Sequence, residues 1–156
     1  MSAKSTDREG STDEADETGE APAVQRMQPP TTALTEPFWE ATREGRLLVQ
    51  WCLDCDEPVF YPREFCPGCL GTNLEWRDAS GAGTVYAVTV EHRPQNPGMA
   101  AMAPYAVALI DLDEGIRMLS NVVGCPPDDV AVGMAVRVTW EDLDDGRKLP
   151  QWEPAT

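Results

Sequence analysis

Lysine is almost absent from this chain: Lys4 and Lys148 are the only two in 156 residues. Twelve basic side chains face 27 acidic ones, for a formal net charge of −15. A protein that grips a phosphate backbone needs a basic stripe or groove, so nucleic acid is not an expected ligand. Histidine is scarcer, with His92 alone. A Cys/His dyad would have to join His92 to Cys125, and nothing local in either segment supports one. No apolar run reaches the ~20 residues that cross a bilayer. The first twenty residues, "MSAKSTDREGSTDEADETGE", hold no apolar signal segment. A cytoplasmic protein with no membrane contact is expected. A nucleophile elbow, a phosphate loop and a dinucleotide fingerprint are all missing. "GAG" at 81–83 precedes a strand rather than a helix and reads as a turn.

The acidity is not a property of one tail. Residues 1–36 carry eight acids and three bases, and the other 120 residues carry nineteen and nine. A highly solvated surface follows, and "WEDLDDG" (140–146) reads as a solvated acidic turn. Residues 1–34 combine this charge with few aliphatic side chains. They cannot bury enough apolar area to offset the entropy of ordering, so a disordered acidic tail is expected there.

From Thr35 the pattern changes. "TEPFWEATREG" reads as a short helix with Thr35 as N-cap, Pro37 in the first turn and Gly45 as the stop. Phe38, Trp39 and Thr42 fall near one face. "RLLVQW" is strand-compatible and leads into "CLDCDEPVFYPREFCPGC", which holds four of the five cysteines. Cys52, Cys55, Cys66 and Cys69 form two Cys-x-x-Cys pairs with ten residues between. Each pair turns two sulfurs the same way, and two facing knuckles offer four thiolates at tetrahedral positions, which suits zinc. "EPVFYPREF" can fold as the hairpin that brings the knuckles together. Iron uses the same ligands, and "CPGC" resembles the second knuckle of a rubredoxin. Disulfides fit poorly in an intracellular chain. A redox pair would open a helix, and Pro58 and Pro67 intrude on any helical pattern. The residue after a knuckle often takes positive φ. Asp56 tolerates that and Leu70 does so poorly, so the second knuckle is expected to be strained or reshaped, with Gly71 absorbing the turn. A site filled by four thiolates is structural rather than catalytic. Cys125 stands apart and reads as a small buried hydrophobe. No catalytic residue is assigned.

After a polar, turn-rich stretch (70–83), period-two alternation sets in. Strands are expected over 84–92, 105–113, 116–124 and 134–142, with a short fifth within 147–155 and a tight turn at 113–115. Five strands without a long helix suggest an open Greek-key barrel of the OB type, with a small β-sandwich as the competing architecture. The fold class is therefore mainly β: an N-terminal helix and metal ribbon over 35–76, then a five-stranded OB-fold barrel over 77–156. The connection "RPQNPGMAAMAP" (93–104) is unusually apolar for a loop. It is expected to fold over the barrel mouth or to meet a partner.

The order of "PFWEATREGRLL", "CLDC…CPGC", "SGAGTVYAVTVEHRP", "PYAVALIDLDEGIRMLSNVVGC" and "VGMAVRVTWEDLDDGRKLPQWEP" closely resembles an acyl-CoA-associated family. That family joins a rubredoxin-like zinc ribbon to an OB-fold domain and was long known only as a domain of unknown function. The match runs from about Pro37 to Pro154. The resemblance implies an accessory subunit in a hetero-oligomer with a thiolase-like or aldolase enzyme. Partners in the family include thiolases linked to hydroxymethylglutaryl-CoA synthase and aldolases that cleave steroid side-chain CoA thioesters; some members are fused to a hydratase-like domain. It implies structural zinc at the four matching cysteines and a CoA thioester at the partner interface, with catalytic residues in the partner. Two other roles compete: an OB/zinc-ribbon module that binds nucleic acid, and an iron-loaded electron carrier.

Overall fold

The computed structural model describes residues 28–155. Most of the acidic segment expected to be disordered, residues 1–27, lies outside the described residues. The chain enters helix α1 (Glu36–Arg43) with Pro37 in its first turn. Thr35 does not cap it. The Thr35 hydroxyl instead accepts from the Thr32 N–H at 3.0 Å, and its backbone is already helical at φ −98°, ψ −5°. A local Thr–Thr turn has taken the side chain that a cap would use. The C-terminus ends as expected. Gly45 sits at φ 72°, its N–H donates to Thr42 O, and Arg46 N donates to Ala41 O. This 5→2 and 6→1 pair is a Schellman stop.

Three strands follow as one antiparallel sheet: β1 (Leu48–Cys52), β2 (Glu57–Val59) and β3 (Leu74–Asp78), with β1 central. β3 was not expected from "LEWRD". Its pattern is polar, and strand geometry is imposed by full pairing with β1, from Leu48↔Asp78 to Cys52↔Leu74.

The remaining strands are β4 (Ala82–Glu91), β5 (Tyr105–Leu112), β6 (Arg117–Val122), β7 (Ala135–Asp142) and β8 (Lys148–Pro154). They close in the order β4-β5-β6-β8-β7, the five-stranded OB barrel; the sandwich alternative falls because the sheet closes on itself. β5 shows why the strands were legible: Ala106, Ala108, Ile110 and Leu112 are buried while the residues between them are not. Gly83 allows β4 to approach β5, since a Cβ there would come within 2.7 Å of the Asp111 carbonyl oxygen. Trp152 of β8 is fully buried at the core, and Phe38 joins the same cluster. The fifth strand is thus central to the core.

Closure is weakest between β6 and β8, which share a single parallel pair, Val122↔Trp152. Leu143 N donates to Arg147 O across the β7–β8 turn, and the alternation of an antiparallel ladder then directs Pro150 toward the β6 side. Its missing N–H costs no ladder bond there, and its carbonyl accepts from Ser120 Oγ at 2.8 Å. Beside it, Lys148 N donates to the Thr42 hydroxyl at 3.2 Å, so α1 satisfies the strand edge that β6 leaves open. No helix among the described residues is long and apolar enough to cross a membrane.

Candidate metal centre and interaction surfaces

β1 delivers Cys52 directly from its last residue, and Cys55 follows in the turn to β2. Cys66 and Cys69 come from the turn before β3. The four sulfurs lie within 4.8 Å of one another. Cys52 and Cys69 are 3.5 Å apart, and Cys55 and Cys66 3.6 Å. A disulfide needs roughly 2.0 Å, so these are separate thiols. A tetrahedron with Zn–S near 2.3 Å has edges of about 3.8 Å, and the cluster fits that ion. The elements around it complete the fit. Gly68 N donates to Cys66 Sγ at 3.3 Å and Gly71 N to Cys69 Sγ at 3.4 Å, the kind of outer-shell bond that stabilises a coordinating thiolate. The Cys69 backbone N–H, foremost, brings the Cys66 thiol down to about 7. Cys55 is pushed far up, first by its contact with Cys52 and then by burial. Four crowded sulfurs cannot all ionise without a cation between them.

Both positions after the knuckles are left-handed: Asp56 at φ 56° and Leu70 at φ 62°. The expectation that Gly71 would absorb the second turn is not met, because Leu70 takes the strain itself. Gly71 lies against the Asp54 carboxylate and the Cys69 sulfur. The buried ribbon cluster is tiny, comprising Cys52, Val59 and Cys66 with Cys55 and Leu74 packed against it.

Cys125 and His92 are not brought together. His92 is exposed in the bend after β4, whereas Cys125 is partly buried against the barrel core. Burial, then Asp129, raises the Cys125 thiol above its ordinary value. Sequence reasoning missed a groove of about 540 Å³ where α1, the Phe60–Pro62 segment and the open β6–β8 seam meet. Phe38, Tyr61, Val107, Leu119 and Leu149 line it, and Met99 reaches it from a 3-10 turn (Pro97–Met102) in the apolar 93–104 loop. The apolar loop was the one signal in the sequence for this surface.

A four-thiolate ribbon mounted on a closed five-stranded barrel defines a zinc-ribbon/OB-fold protein. Residues 39–75 match the family described as "ChsH2, rubredoxin-like zinc ribbon domain", and residues 76–141 match "ChsH2, C-terminal OB-fold domain". The chain is 40% identical over 115 residues to a DUF35 domain-containing scaffold protein of Methanocaldococcus jannaschii, covering 69% of this chain and 80% of that one. It is 34% identical over 140 residues to a probable enoyl-CoA hydratase alpha subunit of Thermomonospora curvata, covering 90% of this chain but 43% of that relative. Among solved structures it matches a chain described as "Ltp2-ChsH2(DUF35) aldolase" with TM-score 0.74 and 35% identity, covering 83% of this chain and 100% of that one. The chain belongs to the DUF35 family, in its ChsH2-like form. It spans about two fifths of the length of the hydratase subunit it matches.

Proposed function

We propose that this chain is a non-catalytic accessory subunit of a thiolase-fold acyl-CoA enzyme: a thiolase, a thiolase linked to hydroxymethylglutaryl-CoA synthase, or an aldolase acting on steroid side-chain CoA thioesters. The observation that carries the reading is complete coverage, at 35% identity, of the chain matched in the Ltp2–ChsH2(DUF35) aldolase. Physical arguments support it. In this reading Cys52, Cys55, Cys66 and Cys69 hold zinc, which cross-links residues 35–76 into a docking unit beside the barrel of residues 77–156. Four thiolates leave the ion no position for substrate. The net charge of −15 disfavours any polyanion. It weighs against nucleic acid and leaves the CoA phosphates to the partner, with this chain enclosing part of the thioester path.

The test is purification of the tagged full-length chain from its native host. Mass spectrometry should identify a stoichiometric thiolase-fold subunit. That subunit should be poorly soluble or weakly active when expressed alone and recover on co-expression. A partner fully active and stable without this chain, or a lone chain that turns over a thioester, overturns the reading.

A further inference from the structure

Leu70 combines two unfavourable features. It holds a left-handed backbone at φ 62°, which a leucine tolerates poorly. Its side chain is also 72% exposed, so it shields neither the metal site nor the core. The equivalent position in the first knuckle differs. Asp56 is left-handed too, but its carboxylate accepts from Trp51 Nε1 at 2.8 Å, which gives that side chain a role inside the ribbon. No such contact within the described chain accounts for leucine at 70. Strain that persists beside an exposed apolar group points to a use outside the fold.

The surroundings point the same way. Seven large hydrophobic residues are exposed among the described residues, and four of them, Leu53, Tyr61, Phe65 and Leu70, lie in the ribbon. The Leu53–Asp54 tip and the Leu70–Gly71 turn are neighbours, since Asp54 packs against Gly71. Leu70 is also held firmly: its N–H donates to Cys66 O at 2.9 Å, and Cys66 N donates to Gly71 O at 2.8 Å. A fixed backbone leaves only the side chain itself to be ordered on binding, which favours an interface anchor.

We propose that Leu70 is the anchor by which the ribbon docks into an apolar cleft on the acyl-CoA enzyme subunit. This rests on the accessory-subunit reading above, whose matched chain is described as part of an aldolase with a second named component. The metal site then holds a strained leucine in the orientation that the partner receives.

Leu70→Gly and Leu70→Asn in the full-length chain test the proposal, because both residues accept left-handed geometry. Each should keep its zinc and show an equal or higher thermal midpoint. Affinity for the subunit that co-purifies with the wild type should fall about tenfold or more. Val132→Asn, which alters an exposed residue on the barrel, should leave that affinity unchanged. Unaltered binding by both Leu70 variants overturns the anchor while leaving the accessory reading intact. Loss of zinc from both would make Leu70 a structural residue and also overturn it. A wild-type chain that binds no acyl-CoA enzyme subunit removes the accessory reading and the anchor with it.

Discussion

The Gln50 side chain closes a two-way bond with the backbone of Arg63: Gln50 Nε2 donates to Arg63 O at 3.1 Å, and Arg63 N donates to Gln50 Oε1 at 2.7 Å. Gln50 is buried in the central ribbon strand, so it acts as a rung between β1 and the segment that leads to Cys66. The amide thereby sets the approach of the second knuckle to the first. Gln50→Ala would leave a buried backbone donor and acceptor unpaired, at a cost of about 1–3 kcal/mol. The expected outcome is weaker zinc retention in a chelator competition, with the barrel unaffected. Equal retention by variant and wild type would show that the cysteines alone define the loop.

Gly83 makes a second, independent prediction in the barrel. A Cβ at this position would meet the Asp111 carbonyl oxygen at 2.7 Å and Ile110 Cγ2 at 2.9 Å. The backbone oxygen cannot swing aside as a flexible side chain could, so β4 and β5 must separate. Gly83→Ala should destabilise the barrel by about 1–3 kcal/mol. Chemical denaturation followed through the buried Trp152 measures this directly, and an unchanged midpoint would show that the strands can shift freely.

Legibility in the sequence followed the range of the interactions. β5 announced itself because it buries one face locally, as "YAVALIDL" does with every second residue. The four cysteines were legible from spacing, because a Cys-x-x-Cys turn carries its geometry within four residues. β3 was not, because "LEWRD" becomes a strand only when β1 pairs with it. The Thr35 cap failed for a local reason, since Thr32 competes for its hydroxyl. Of the groove only the apolar 93–104 loop was legible, through Met99. Phe38, Val107, Leu119 and Leu149 come from four separate elements, and the space between them exists only because β6 and β8 diverge.

Three arginine–carboxylate pairs set an acid-side prediction. Hydrogen bonds from Arg46, Arg117 and Arg147, foremost, hold Asp78, Asp111 and Asp145 below the ordinary carboxylate range. Each carboxyl is therefore more acidic folded than unfolded. Its contribution is complete above the unfolded value, about 3.9, and disappears as pH falls through the lower folded value. Because the protein carries −15 overall, relief of general repulsion will act in the opposite direction as pH falls. A difference measurement isolates the pairs. The stability gap between wild type and the Asp78→Asn/Asp111→Asn/Asp145→Asn variant should be constant from pH 7 to about 5 and close below about 4. High salt should narrow the part of it that comes from Asp78 and Asp111, whose pairs are exposed, more than the part from Asp145, whose partner Arg147 is buried. A gap that is independent of pH would show that the substitutions act through packing instead.

Metal removal separates the two halves of the fold. Most of the barrel core, from Val85 through Trp152, comes from the barrel itself; Phe38 of α1, Leu47 and Val49 of β1 join it, with Trp39, Phe60 and Trp76 packed against it. Around the metal site itself the apolar cluster is only Val59, Leu74 and the cysteines. An apolar cluster of that size cannot offset the conformational entropy of some twenty residues, so the ion must do so. A strong chelator, or Cys66→Ser, should therefore release amide protection across residues 53–73 while β4 to β8 stay protected. Trp51, next to Cys52, should change its fluorescence and Trp152 should not. The same preparation decides the metal: one zinc per chain with no visible absorption is expected, whereas an oxidised iron–thiolate centre is coloured. Barrel amides that exchange together with the ribbon would show that the ion supports the whole molecule, and the picture of a zinc-locked unit carried by a self-sufficient barrel would have to be abandoned.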